Sequence, residues 1–210
     1  MTNVVEDVLE GWRRGTRGPL PQITPLQLLN ALVIIDQDGP VGRRALAHSL
    51  RIKDGVVRGL LERLAEGKIA LASETGVHLS GSGKKSLHKF LRQLSVKKIA
   101  RLGESGLIGT GQGIAVHLGG VYKKGRTGVA QRDEAIKAGA AGSITIAVFG
   151  KRLVMPPDNK SIADLDPRED ARLRREFSPS DKDLIIIGFG SDLGIAQAGA
   201  LAAVMSLQKN

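Results

Sequence analysis

The chain has 210 residues, which is enough for one large or two small domains with buried cores. Its formal net charge is +10. The absence of cysteine excludes disulfides, thiolate zinc sites and cysteine nucleophiles, and it favours a reducing compartment. No apolar run reaches the roughly 18–20 residues of a membrane helix, and the first residues do not form a signal peptide. We therefore predict a cytoplasmic protein without a membrane partner.

Most of the net positive charge lies in one block of the sequence. Residues 39–98 hold 13 Lys and Arg against 4 Asp and Glu, whereas residues 99–210 hold 15 against 12. Clustered cations bind polyanions because they neutralise phosphates and release the condensed counterions. The charge distribution therefore predicts a nucleic-acid partner for the block at 39–98, with a merely basic surface as the alternative.

The first residues predict a short segment ahead of the main domains. Residues 1–23 hold a helix at about residues 3–12, with Trp12 as a packing anchor, followed by a Gly/Pro-rich linker. We assign residues 24–98 to an N-terminal domain and residues 99–210 to a C-terminal domain.

Three helices are predicted in the first half of the N-terminal domain. The first begins after Thr24, whose side chain can cap it, with Pro25 in the first helical position. Apolar spacing predicts a shorter helix at residues 41–52 and a third helix at residues 53–68. Asp54 is expected to cap the third helix. The short connection between these two helices is typical of a helix-turn-helix corner.

A two-stranded wing is predicted after the three helices. The segment "IALASETGVHLSGSGKKSL" indicates two strands that meet near Glu74–Gly76 and then a helix from about Ser82 to Leu94. Together with "LLERLAEGK", which ends the third helix, this order resembles the winged helix-turn-helix of many prokaryotic transcription regulators. The resemblance implies that the third helix enters the major groove of DNA.

The predicted DNA contacts follow from that placement. Arg58, on the outer face of the third helix, carries the fork that pairs with guanine O6 and N7. Gly55 and Gly59 would let the duplex approach the backbone closely, and the remaining cations, including two wing lysines, would contact phosphates. The predicted contacts to double-stranded DNA are Arg43, Arg44, Lys53, Gly55, Arg58, Gly59, Lys84 and Lys85.

The C-terminal domain is predicted to be a small α/β domain with helices packed on a sheet, which makes the whole chain α+β. The helix within it is expected to bury Val129, Ala130, Ile136 and Ala140, and Asp166 is expected to cap a later helix. In chain order the predicted elements are a linker with a short strand at 94–113, a strand at 113–122, a helix at 127–140, a hairpin at 143–157, a helix at 167–177, and a closing strand and helix within 183–210.

Two stretches of the C-terminal domain carry a second resemblance. The segments "GVAQRDEAIKAGAAGSITIAVFGKRLVMP" and "DLIIIGFGSDLGIAQAGALAA", behind this winged helix, resemble a family of archaeal two-domain proteins. Their C-terminal domain is uncharacterised, so the resemblance implies a transcription regulator but supplies no reaction, ligand or catalytic residue. Where that family often has two acids in the last turn, this chain has Ser191 and then Asp192.

The closing stretch also contains a glycine turn similar to that of a nucleotide-binding unit. Its glycines are not spaced as in a dinucleotide fingerprint, and neither a further strand nor a ribose-binding acid follows the last helix. We therefore predict no NAD or ATP site and no cofactor.

Two interpretations of the turn remain open. It is either a tight strand-to-helix connection with Asp192 as the helix cap, or the wall of a pocket for a small-molecule effector. The residues of that predicted pocket are Arg132, Asp133, Lys137, Gly188, Gly190, Ser191 and Asp192.

No catalytic or metal-binding motif is recognised. The four histidines fall on different predicted elements without metal-ligand spacing, and His117 is expected to be a hydrogen-bonded core residue. The acids of "ADLDPRED" are explained by a capped helix start.

The chain is therefore predicted to be a homodimeric, DNA-binding transcription regulator and not an enzyme. Its C-terminal domain would sense a ligand or hold two copies together. The alternatives are an enzyme acting on a small phosphorylated or nucleotide substrate, with the winged helix as an accessory, and a protein–protein adaptor.

Overall fold

The computed structural model describes Val5 and residues 22–208. The helix predicted at about residues 3–12 and the anchoring role of Trp12 lie outside the described residues. The chain forms two compact units, Met1–Phe90 and Leu91–Asn210. In the described ranges no helix is long and apolar enough to cross a membrane.

The first unit has the predicted order of a winged helix-turn-helix. Its described elements are α1 (Pro25–Asp38), α2 (Arg43–Leu50), α3 (Asp54–Glu66), β1 (Ala70–Ser73), β2 (Gly76–Leu79) and α4 (Gly81–Gln93), the last of which continues into the second unit.

The first helix is central to the N-terminal core. Thr24 caps α1 in a capping box with Gln27, each side chain accepting a hydrogen bond from the other's backbone N–H, and Pro25 occupies the first helical position. Residues 28–35 are buried without interruption, so the helix is enclosed on every side for two turns. The predicted helix start is confirmed.

The wing is a tight antiparallel hairpin that is joined to the start of α2. The strands β1 and β2 pair in register, and Val77 of β2 also exchanges backbone hydrogen bonds of 2.9 Å with Val41. Gly76 has a φ of +140°, and a Cβ there would lie 2.7 Å from the Val41 carbonyl. Only glycine satisfies both conditions, so Gly76 sets the position of the wing.

The second unit contains an antiparallel six-stranded sheet in the order β3-β4-β8-β5-β6-β7. Its described elements are β3 (Val96–Leu102), β4 (Gln112–Leu118), α5 (Val129–Lys137), β5 (Gly142–Phe149), β6 (Arg152–Met155), β7 (Lys160–Ser161), α6 (Ile162–Leu165), α7 (Pro167–Phe177), β8 (Leu184–Gly190) and α8 (Leu193–Ser206). The α+β class and a sheet covered by helices are confirmed.

The segment 94–113 contains the strand that was predicted within this linker. This strand, β3, has seven residues, lies at the edge of the sheet and pairs along its length with β4. The boundary drawn after residue 98 falls inside this strand, whereas the two compact units divide at Phe90 and Leu91.

Helices cover both faces of the sheet. On one face Leu173 and Phe177 of α7 join a core with Ile146 and Ile185, and Asp166 caps α7 as predicted. On the other face α8 is buried along almost its whole length and packs on β8 and β4. The central strand β8 is consequently covered on both sides.

The burial predicted for α5 is largely wrong. Only Ala140, just beyond the helix, is buried as expected, whereas Val129 and Ile136 are 47% and 48% exposed and Ala130 is exposed. The buried side chains of α5 are instead Gln131 and Ala135. Gln131 is accommodated because its amide donates a 3.2 Å hydrogen bond to the Ser206 hydroxyl of α8.

Candidate nucleic-acid interface

The starts of α2 and α3 lie together at the predicted DNA surface. Arg43, the first residue of α2, forms a 2.9 Å ion pair from its Nε to Oδ1 of Asp54, the first residue of α3. Asp54 was expected to cap α3, but the cap residue is Lys53, which makes no side-chain capping bond. The Asp54 carboxylate is turned towards Arg43 and the positive end of the helix instead.

The outer face of α3 is open and polar. Val57, Leu60 and Leu64 are fully buried, so the opposite face carries the exposed Lys53, Gly55 and Arg58. A Cβ at Gly55 would meet nothing within 4 Å. Leu61, predicted to face the core, and Gly59, predicted to face DNA, are both half-buried at the margins of this face.

Arg58 is engaged by an acid on its own helix. Its Nε lies 2.9 Å from Oε1 of Glu62, one turn further along α3, with both side chains more than half exposed. This hydrogen bond raises the pKa of Arg58 above its ordinary value. The i,i+4 spacing that creates the pair is visible in the sequence, although the prediction did not use it.

Lys84 and Lys85 do not lie in the wing, contrary to the prediction. Ser80 accepts a 2.9 Å hydrogen bond from the Gly83 N–H at the start of α4, and both lysines lie in the first two turns of this helix, as the helix predicted from about Ser82 already implied. Both side chains are exposed. The hairpin itself carries Glu74 at its tip and no Lys or Arg between residues 70 and 79.

The glycine turn in the C-terminal unit packs against its own helix. A Cβ on Gly188 would overlap the Ala196 carbonyl and the Ala200 amide of α8, and one on Gly190 would lie 2.6 Å from the Ile195 side chain. Asp192 caps α8 by accepting a 2.9 Å hydrogen bond from the Ile195 N–H. These contacts match the interpretation of the turn as a tight strand-to-helix connection with Asp192 as the helix cap.

Gly188→Ala is expected to lower the free energy of unfolding by about 2 kcal/mol, because the added methyl group separates α8 from β8. Urea denaturation of the variant measures the change. Gly103→Ala is the matched control, since a Cβ at Gly103 meets nothing within 4 Å. Equal stability of the two variants would contradict the close packing.

The other residues of the predicted effector pocket lie on or near the surface of α5. Arg132 and Asp133 are exposed and adjacent, with 3.5 Å between Nη2 and Oδ1. Arg132 lies close to Gly142, the first residue of β5, which pairs with Phe189 near the end of β8. Lys137 pairs instead with Glu134 at 2.7 Å, which raises the pKa of Lys137. Ser191 is exposed in the turn.

A surface cavity of about 610 Å³ lies beside this region. None of the residues predicted for the effector pocket lines it, although Gln112 pairs with Gly190 across the sheet. Its lining consists of Glu104, Ser105, Gly106, Gly109, Thr110, Gly111 and Gln112.

A buried carboxylate organises the opposite end of the sheet. Asp183, 2% exposed, accepts hydrogen bonds from His117 Nε2 at 2.8 Å, from Lys97 Nζ at 3.0 Å, and from the N–H groups of Ser180 and Gly120. The prediction that His117 is a hydrogen-bonded core residue is confirmed. Over residues 22–208, no group of three His, Cys, Asp or Glu side chains could hold a metal ion.

The two units match different known families. Residues 28–95 match the family described as the CggR N-terminal DNA binding domain, and residues 110–207 match a domain of unknown function, DUF4443. Comparison with curated protein sequences gives no match.

One solved structure similar to the chain is that of a hypothetical protein from Pyrococcus horikoshii OT3, with 23% identity and a TM-score of 0.72. The match covers 90% of this chain and 94% of the other, and it shows the fold alone. Residues 28–95, which fold as a winged helix-turn-helix, thus match a DNA-binding domain, and residues 110–207 match DUF4443, which confirms the two-domain resemblance found in the sequence.

Proposed function

We propose that the chain is a DNA-binding transcription regulator in which α3 enters the major groove. The observation that carries this proposal is the match of residues 28–95 to a DNA-binding domain, joined to an exposed α3 face with Lys53, Gly55 and Arg58. The open backbone at Gly55 admits close approach of a duplex, and Arg58 supplies the guanine-reading fork.

The ion pairs found in the free protein are compatible with this role. Arg43–Asp54 and Arg58–Glu62 both join well-exposed side chains, and exposed pairs contribute little to stability because water screens them. Exchanging a carboxylate for a phosphate or a guanine edge therefore costs little. Arg44 and Lys53 are also exposed and lie close to these pairs in the chain, where they can contact the phosphate backbone.

Lys84 and Lys85 contact phosphates in this proposal from the start of α4. The amide groups of a helix N-terminus attract anions, and the two lysine side chains add to that attraction. Their contribution is independent of base sequence because phosphates carry no sequence information.

The proposal is tested by the salt dependence of binding to mixed-sequence duplex DNA. The affinity of the wild type should fall steeply as salt rises, in proportion to the number of phosphates neutralised. Lys84→Ala and Lys85→Ala should weaken binding to all sequences alike and reduce the log–log slope by about 0.9 for each lysine. Lys151→Ala, an exposed lysine of the second unit, is the control. A flat salt plot, or no binding at low salt, would contradict DNA binding.

We also propose that two copies act together and that the second unit mediates pairing or effector sensing. A single winged helix forms a small interface with DNA, and regulators usually pair two half-sites. A monomer mass in sedimentation at micromolar concentration would contradict the dimer. Turnover of a phosphorylated or nucleotide substrate would contradict the further proposal that the chain is a regulator and not an enzyme.

A further inference from the structure

A basic, glycine-rich loop connects β4 to α5. Residues 119–128, "GGVYKKGRTG", contain Lys123, Lys124 and Arg126 and no acid. Both lysines are exposed, and no ion pair involves the three cations in the part of the chain that the structure describes. The loop therefore places three uncompensated positive charges immediately before a helix.

The helix that follows has an uncapped N-terminus. Gly128, the cap residue of α5, adopts a left-handed conformation with φ of 80° and makes no side-chain capping bond, and the first turn contains no acid. Thr127 approaches the Val129 N–H only at 3.4 Å. Within the described residues, no acid in the first turn neutralises the partial positive charge of this nine-residue helix.

Two buried polar atoms next to this helix start, Arg126 Nη1 and Thr145 Oγ1, lack a hydrogen-bond partner within the described residues, and so does Ser143 Oγ, two residues before Thr145 on β5. Ser143 and Thr145 are each only 7% exposed, and as alternate residues of β5 they share one face of the sheet. The Thr145 hydroxyl points at the helix start, 3.1 Å from the position that a Cβ on Gly128 would occupy.

A small anion explains these features together. Unpartnered buried donors are costly, so each one in a native protein calls for a partner. A guanidinium, hydroxyl groups and the N–H groups of a helix start are donors for the oxygens of a phosphoryl group, and their combined charge favours a dianion. Because the two hydroxyls are almost fully covered, the backbone of a DNA duplex does not reach them.

We propose that residues 119–128, the N-terminus of α5 and the hydroxyls of Ser143 and Thr145 form a binding site for the phosphoryl group of a small molecule. Arg126 and Thr145 are its central residues, with Lys123 and Lys124 attracting the anion from solvent. This site differs from the effector pocket predicted at the Gly188–Gly190 turn, whose glycines face α8, although Ser143 pairs with Gly188 across the sheet.

The site is tested by thermal unfolding of the full chain in inorganic phosphate, compared with sodium chloride of equal ionic strength. At about five times the dissociation constant, phosphate should raise the Tm of the wild type by about 2–4 °C. Arg126→Gln and Thr145→Val should each abolish most of this rise. Lys151→Gln, which removes an exposed charge elsewhere in the same unit, should leave it unchanged.

Thr145→Val provides a second, independent measurement. It keeps the shape of the side chain but removes an unpartnered buried hydroxyl, so without phosphate its Tm should equal or exceed that of the wild type. If the variant is destabilised without phosphate, the hydroxyl has a structural partner and the proposal is wrong on this point.

The other possible results of the phosphate measurement also decide whether the proposed site exists. An equal rise in the Tm of the wild type, Arg126→Gln and Thr145→Val would overturn the site. The absence of a rise with both inorganic phosphate and sugar phosphates would also overturn it. A rise with sugar phosphates but not with inorganic phosphate would support the site and identify the larger ligand as its occupant. The readout is stability and not DNA affinity, so the result stands or falls separately from the proposed DNA binding.

Discussion

Replacing Asp183 by alanine is expected to lower the free energy of unfolding of the second unit by about 3–5 kcal/mol. The carboxylate is 2% exposed and accepts hydrogen bonds from His117, Lys97 and two backbone N–H groups. Without it the His117 ring and those amides stay buried with no acceptor, which costs more than the bonds themselves contributed. Urea denaturation of the full chain, followed by a probe in the second unit, measures the loss.

Asp181→Ala is the matched control for this substitution. Asp181 lies two residues away and also accepts a backbone hydrogen bond, 2.7 Å from the Gly150 N–H, but its side chain is exposed. Its removal should cost less than about 1 kcal/mol, because water can replace the lost acceptor. If Asp183→Ala and Asp181→Ala are equally destabilising, the buried network does not stabilise the domain as inferred.

The same carboxylate makes stability depend on pH in the acid range. Burial alone would raise the pKa of Asp183, but the hydrogen bonds from Ser180, His117, Lys97 and Gly120 outweigh it and lower the pKa from 3.8 to about 2. Since the folded state holds the proton less tightly than the unfolded chain, the stabilisation is complete above pH 3.8 and is lost as pH falls towards 2. The difference in unfolding free energy between the wild type and Asp183→Asn should shrink by about 2 kcal/mol over that interval.

Replacing Arg58 by alanine is expected to reduce affinity for the preferred DNA sequence by about 100-fold while leaving binding to mixed-sequence DNA nearly unchanged. Arg58 is the arginine on the exposed face of α3, and a bidentate contact to guanine is lost entirely when the guanidinium is removed. The preferred sequence is first selected with the wild type from a randomised duplex pool. Both proteins are then titrated with that sequence and with the pool.

Glu62→Gln sharpens the interpretation of the Arg58 result. It removes the acid that holds the Arg58 Nε at 2.9 Å, and it also removes a negative charge from a surface that would face phosphates. Affinity should therefore rise for all sequences, with selectivity retained. If Arg58→Ala instead weakens binding to every sequence to the same degree, Arg58 contacts phosphate and another residue reads the bases.

The winged helix was predictable because its signals are local. Thr24 and Pro25 mark the start of α1, and the apolar spacing places Val57, Leu60 and Leu64 on the buried face of α3. Lys84 and Lys85 were assigned to the wing although the helix predicted from about Ser82 already contained them, and Ser80 accepts the Gly83 N–H at the start of that helix.

The C-terminal unit was less predictable because its partners are distant in sequence. The extent of β3 within the predicted linker was not evident because "VKKIARL" is rich in cations, which is typical of an edge strand that resists further pairing. Gln131 is buried in α5 only because Ser206, from the last helix, accepts its hydrogen bond. Arg126 is likewise separated in the sequence from Ser143 and Thr145, although an acid-free loop of glycines and cations was a signal available from the sequence.

In the proposed complex, the charge of the wing limits the length of duplex DNA that one copy can contact. The hairpin has Glu74 at its tip and no Lys or Arg along residues 70–79, so its charge is repelled by the phosphate backbone of a DNA duplex. In the proposed complex we therefore expect one copy to contact a short stretch of DNA centred on α3 and to leave the flanking minor groove open. Contact with a longer stretch would then come from additional copies along the duplex and not from wrapping by one copy.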